Sequence, residues 1–244
     1  MKHISFIIML MAMMAFTLAC DEDNEEEFEP SSRIIDNKID NNIDNEEDVS
    51  LADKLIKLGW TTEEIDKANT AANLKLLEQT ERDIVLYINL ARLDGEKFWQ
   101  TLGEKSARGS DEYVSTLKET LATTKNLQML IPDANLIAAA TAHATDLSVT
   151  NTFSHESSDG TSFSARIYKY YSGGGIGETI SAGWNDALDI VMQLLVDDGV
   201  ESLGHRKILL SKEYVAIGVK VETHKQWNYV AVLDFGDKVD KKAN

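Results

Sequence analysis

The chain holds a single cysteine, Cys20, so no disulfide can form within it. It is also poor in cations: 24 Lys and Arg stand against 41 Asp and Glu, for a formal net charge of −17. Nucleic-acid binding rests on Lys and Arg neutralising phosphates, and no basic stripe is present, so that class of partner is excluded. A Gly-x-Ser-x-Gly nucleophile elbow is missing. No Gly-Lys-Ser/Thr follows Gly173-Gly174-Gly175-Ile176-Gly177, which removes a phosphate loop and leaves a flexible loop at the rim of a cleft. His155-Glu156 opens like a His-Glu-x-x-His zinc motif, but Asp159 occupies the last place and the motif fails.

What is present begins with an address. Lys2 supplies a positive start, Ile4 to Leu18 is apolar and rich in Met, and Ala19-Cys20 ends the run with a small residue, the pattern of a secretory signal over residues 1–19. The run is shorter than the roughly 20 residues of a membrane span. Thr17-Leu18-Ala19-Cys20 resembles a bacterial lipobox, with Thr17 where an aliphatic residue is usual. This resemblance implies lipidation at Cys20 and a membrane as partner; ordinary cleavage nearby, with Cys20 a free thiol or removed, is the alternative. Residues 21–50 hold thirteen Asp or Glu against Arg33 and Lys38, so residues 20–50 read as an acidic disordered tether. An acidic run behind a lipidated cysteine resembles the export signal of surface-exposed lipoproteins. The expected location is the bacterial outer membrane, on its surface or its periplasmic face.

Residues 51–79 read as a short helical appendage: Leu51, Leu55 and Leu58 fall at helical spacing, and Thr61-Thr62-Glu63-Glu64 offers a capping box for a second helix. The main domain, 80–238, opens on a helix over about 81–93 with Ile84, Tyr87, Ile88 and Ala91 on one face. A polar helix is expected over 111–127. Pro132-Asp133 starts an alanine-rich helix through Leu136, Ala139, Ala140, His143 and Leu147, whose small stripe lets a neighbour approach closely; His143 on it reads as a buried, hydrogen-bonded structural histidine. Trp184 to Val196 gives another amphipathic helix. Ile217, Val219 and Val221 alternate, and Tyr229 to Phe235 runs apolar, so the two form a hairpin around Lys225-Gln226, joined by a strand near Glu178. The fold class is therefore α+β, an α-β-α sandwich with a small antiparallel sheet.

The chemistry-bearing residues sit in Phe153-Ser154-His155, Gly177-Glu178-Thr179-Ile180 and Gly204-His205-Arg206. His155 lies at a helix exit and His205 follows a helix end, places from which side chains reach into clefts. Alone, each reads as a satisfied surface histidine. Together with one or two carboxylates they are a set that zinc and similar ions accept, or that serves as acid and base in hydrolysis.

Residues 80–236 resemble a CAP domain, the superfamily of cysteine-rich secretory proteins, antigen 5 and pathogenesis-related proteins. The resemblance is carried by Glu81 through Arg92, Ala142-His143-Ala144-Thr145-Asp146-Leu147, Phe153-Ser154-His155, Asp159-Gly160 and Arg166-Ile167. It continues through Gly177-Glu178-Thr179-Ile180, Asp197-Asp198-Gly199, Gly204-His205-Arg206 and Ile217-Gly218-Val219. It implies a sandwich fold and a cleft of two histidines and two acids: His155, His205, Glu178 and, as the fourth, Asp198 or Asp197. It also implies a divalent metal such as zinc, held by His155, His205 and Glu178. Two functions are consistent with this: a binding module whose cleft takes a lipid, peptide or glycan, and a metal-assisted hydrolase in which Glu178 or Asp198 acts as base. The four polar residues could also simply satisfy one another as structure.

Overall fold

A computed structural model describes residues 49–243. The signal, Cys20 and nearly all of the acidic tether therefore lie outside the described residues. Ser50 caps α1 (Leu51–Lys57), and a Thr61/Glu64 capping box opens α2 (Thr62–Ala68). Leu55, Trp60, Ile65 and Ala68 are buried in the same apolar cluster as α3 (Gln79–Leu93), so residues 51–79 lie on the main body through their own core residues. Asn89 of α3 fastens them there, donating to Ala68 O at 2.9 Å and to Leu130 O at 3.0 Å.

The capping acid at the start of α3 has a second task. Glu81 accepts from Glu78 N–H through one oxygen, and through the other it accepts from Val221 N–H at 3.1 Å and meets Lys220 Nζ at 3.2 Å. The start of α3 is thereby tied to the sheet. The chain continues through α4 (Gly95–Phe98), one π-helical turn (Trp99–Gly103), α5 (Glu104–Ser106) and α6 (Asp111–Thr123).

Ile131–Pro132 form β1, a two-residue strand, and only then does α7 (Ala134–Thr150) begin, capped by Asp133. Pro132 thus closes a strand instead of starting the helix, which suits a residue without a backbone donor next to a side-chain cap. After α7 come α8 (Phe163–Ile167), β2 (Ile176–Ala182), α9 (Ala187–Val196), α10 (Gly204–Leu209), β3 (Ala216–His224) and β4 (Asn228–Gly236). The sheet order is β1-β3-β4-β2. Its three long strands are antiparallel, as expected; β1 adds a short parallel pairing to β3.

Alternation along the strands sorts side chains onto two faces. Ile180, Val230 and Val232 pack against Ala140, Ala144 and Leu147 of α7. On the opposite face Ile217, Val219, Ala231, Leu233 and Phe235 join the α3 and α9 residues, completing the α-β-α layering. The alanine stripe does what its composition predicts. A Cβ on Gly218 of β3 would lie 2.1 Å from the backbone carbon of Leu136, so α7 rests on the sheet backbone itself.

Candidate functional site

Edge strand β2 organises the site. All seven of its residues are buried, and its Ile176 and Ala182 carbonyls accept from Tyr214 Oη and Gln193 Nε2. Glu178, at its centre, faces α7 with a side chain only 1% exposed. His155, on the loop leaving α7, meets it with Nδ1 2.8 Å from Oε1, while Arg166 of α8 takes Oε2. The second Arg166 amino group donates to His155 O at 2.9 Å and Ser157 Oγ at 3.1 Å, so one guanidinium holds both the acid and the loop carrying its histidine.

The second histidine is backed by a different acid. His205 Nδ1 lies 2.6 Å from Asp197 Oδ1, and Asp197 Oδ2 accepts from Arg206 N–H at 3.2 Å. Asp198 points elsewhere: it bonds Ser110 Oγ at 2.9 Å and is exposed. Of the two adjacent aspartates expected as the fourth member, Asp197 therefore occupies the place. Asp197 is the residue ending α9 in the left-handed conformation, φ 57°, and that turn directs its carboxylate to α10 and leaves Asp198 outside.

Each histidine thus uses Nδ1 on a buried carboxylate. His155 keeps its side chain 40% exposed and His205 keeps 20%, so in both rings Nε2 is the open nitrogen. A carboxylate behind Nδ1–H fixes the tautomer and raises the basicity of Nε2, the usual second layer behind a metal-ligating imidazole. Glu178 has both oxygens engaged by His155 and Arg166 and is placed as that backing group, not as a ligand. Among the described residues no group of three His, Cys, Asp or Glu is arranged to hold a metal ion. A carboxylate-backed imidazole nitrogen is a donor of the kind that zinc and similar ions accept.

Two buried arginines, neither in an ion pair with a carboxylate side chain among the described residues, brace this region. Arg206 sends Nε and Nη2 to the Leu195 and Val196 carbonyls at the end of α9, and reaches Tyr113 O and Thr116 Oγ1 on α6. Arg92 of α3 makes five bonds to the Gln128, Leu209, Ser211 and Tyr214 carbonyls, clamping the segment that leaves α10. Burial pulls its guanidinium down to about 10.

His143 is fully buried as expected, with Nε2 2.9 Å from Ser154 O. It also lies 4.0 Å from Glu178 Oε1, beneath the site. Burial holds His143 below the ordinary histidine range, against the pull of Glu178. Burial would raise Glu178, but the His155 hydrogen bond and the Arg166, His155 and His143 charges outweigh it and hold this carboxyl low.

One buried acid was not singled out from sequence. Asp234 of β4 stands directly across the ladder from Glu178 and is fully buried. Its signal was an acidic residue at an inward position of the run Tyr229 to Phe235. Arg166 stands in the sequence only within the Arg166-Ile167 match, which attaches no role to it.

The profile of the cysteine-rich secretory protein family matches residues 85–235, and the chain belongs to that family. No curated protein sequence matches it. Among solved structures it is similar to an extracellular protein containing an SCP domain from Bacillus anthracis, with 18% identity, TM-score 0.42, and coverage of 73% of this chain and 44% of that one. An outer surface protein from Borrelia burgdorferi is 23% identical, with TM-score 0.40 and coverage of 54% and 87%. A cysteine-rich secretory protein from Staphylococcus aureus is 14% identical, with TM-score 0.39 and coverage of 66% and 40%. The chain thus spans less than half the length of the Bacillus and Staphylococcus proteins.

Proposed function

We propose that this protein is a lipid-anchored, extracytoplasmic binding module whose His155 and His205 face a lipid, peptide or glycan ligand. The observation that carries the reading is the pairing of each Nδ1 with a buried carboxylate, at 2.8 Å for His155 and 2.6 Å for His205. That arrangement leaves two Nε2 atoms with fixed tautomers, ready to accept a proton, a hydrogen bond or a metal. His155 and His205 would hold a divalent ion such as zinc through these atoms. The ion would supply Lewis acidity toward a ligand oxygen. Glu178 and Asp197 hold the rings, Arg166 holds Glu178, and Arg206 N–H holds Asp197. The membrane partner is reached through lipidated Cys20, and the acidic tether places the domain at the outer membrane surface or on its periplasmic face. No helix among the described residues is long and apolar enough to cross a membrane.

Zinc titration by calorimetry on the full chain in detergent tests the metal part, with the His155→Ala/His205→Ala double variant as control. Heat in the wild type and none in the variant is expected. No heat in either protein removes the metal. A hydrolase is the second reading, favoured by the His155–Glu178 geometry, in which His155 Nε2 accepts a proton from an attacking water. Turnover of peptide, ester or peptidoglycan substrates that survives the double variant would exclude it.

A further inference from the structure

Glu178 and Asp234 are cross-strand partners in the antiparallel β2/β4 ladder, 4% and 0% exposed, both facing α7. Two ionised carboxylates in that position would repel one another inside the protein, where an unpaired buried charge is relieved by neutralisation. Glu178 draws on Arg166 and on the His155 and His143 imidazoles, whereas the cation acting on Asp234 is Arg166. Arg166 gives one amino group to Glu178 and the other to His155 O and Ser157 Oγ, and its Nε has no partner among the described residues. From α7 the group facing the pair is His143, whose Nε2 is committed to Ser154 O. From β3 the neighbour of Asp234 is Gly218, which has no side chain to offer. Neither oxygen of Asp234 meets a hydrogen-bond donor among the described residues.

We propose that Asp234 is a positioning residue of this site: a neutral carboxylic acid that donates its O–H to the Glu178 carboxylate and thereby fixes the oxygen that holds His155 Nδ1–H. The proton resolves the repulsion and adds a third donor to the Glu178 carboxylate beside His155 and Arg166. Burial first, then the Glu178 charge, push the Asp234 carboxyl well above the ordinary range, with Arg166 pulling the other way. The geometry resembles other paired carboxylates that share one proton because both cannot ionise side by side. What differs here is that the pair lies behind a histidine, so the proton sets an imidazole's orientation.

The inference rests on the reading of His155 as the residue facing the ligand. Carboxyl-carbon NMR on the metal-free full chain at pH 7 should show one aspartic acid in its neutral form, lost in Asp234→Asn. Nitrogen NMR of His155 should show the Nδ1–H tautomer in wild type and in Asp234→Asn, whose amide can also donate, and a changed tautomer mixture in Asp234→Val. Absence of any neutral aspartic acid, or an unchanged His155 ring in a folded Asp234→Val protein, overturns the proposal. If the valine variant does not fold, the carboxyl measurement with the asparagine variant decides. Failure of zinc binding with these NMR results intact would remove the functional reading and leave Asp234's role standing.

Discussion

Replacing Arg92 by alanine should destabilise the fold more than any change at an exposed site residue. The guanidinium makes five hydrogen bonds to four carbonyls from a fully buried position. Hydrogen bonds to a charged group contribute about 1.5–3 kcal/mol each, but holding an unpaired cation out of water offsets much of that sum. The net loss is therefore set by what truncation leaves behind. The Leu209 and Tyr214 carbonyls belong to buried residues and would each lose a partner at about 1–3 kcal/mol, while Gln128 is exposed and can be rehydrated. With the cavity included, about 4 kcal/mol is expected, with water entering the vacated polar space as the main offset. For a domain of this size that corresponds to a Tm lower by about 8–16 °C. Urea unfolding should show a lower midpoint at unchanged slope. Arg92→Lys, with three donors instead of five, should fall between. A loss below about 1 kcal/mol for Arg92→Ala would refute the reasoning, because it would mean the cation's desolvation cancels its bonds.

Gly218→Ala should cost about 3 kcal/mol, since the added Cβ meets α7 backbone at 2.1 Å and overpacking has no flexible side chain to displace; an ordinary melting temperature would contradict this contact. Asp197→Asn should change the His205 ring tautomer read by nitrogen NMR, because Asp197 accepts from Nδ1, whereas Asp198→Asn should leave it in place and change stability by no more than about 0.5 kcal/mol. His143 is held below its unfolded value of 6.5, so the unfolded chain binds the extra proton and stability should fall as pH drops below about 6.5; His143→Gln should flatten that part of the urea-midpoint profile. Asp234 has the opposite sign: a carboxyl raised above 3.8 makes the folded state the better proton binder, so its contribution is full below that pH and is lost as pH rises toward the folded value. Asp234→Asn should accordingly gain stability relative to wild type as pH increases; a constant difference across the range would refute this assignment.

The layered fold was legible because period and composition agreed. The alanine stripe of α7 meets Ile180, Val230 and Val232 on one face of the sheet, and the alternating apolar residues of β3 join α3 and α9 on the other. The two histidine motifs were legible because polar side chains stand at element ends, His155 after α7 and His205 at the start of α10, whereas Glu178 lies inside β2. Less legible were groups whose role depends on distant carbonyls. Arg92 lies in an apolar helix pattern, and nothing local announces partners more than a hundred residues away in sequence at Leu209, Ser211 and Tyr214. The choice between Asp197 and Asp198 turned on one left-handed residue, and a shift by one position reverses which carboxylate faces inward. Pro132 was read from its helix-starting preference, but pairing of Ile131 and Pro132 with β3 moved the helix start to Ala134. Asp234 escaped because charge within a strand is invisible to periodicity until the opposing residue is known.

An outermost strand normally offers a free row of amide and carbonyl groups to any second chain. In β2 the terminal carbonyls are occupied by Tyr214 and Gln193, its residues are buried throughout, and α8, α9 and α10 lie against it. Two of those covering pieces carry Arg166 and His205. Site residues are thus borne on the guards of an aggregation-prone border, and a variant that loosens those pieces should reveal itself first as self-association.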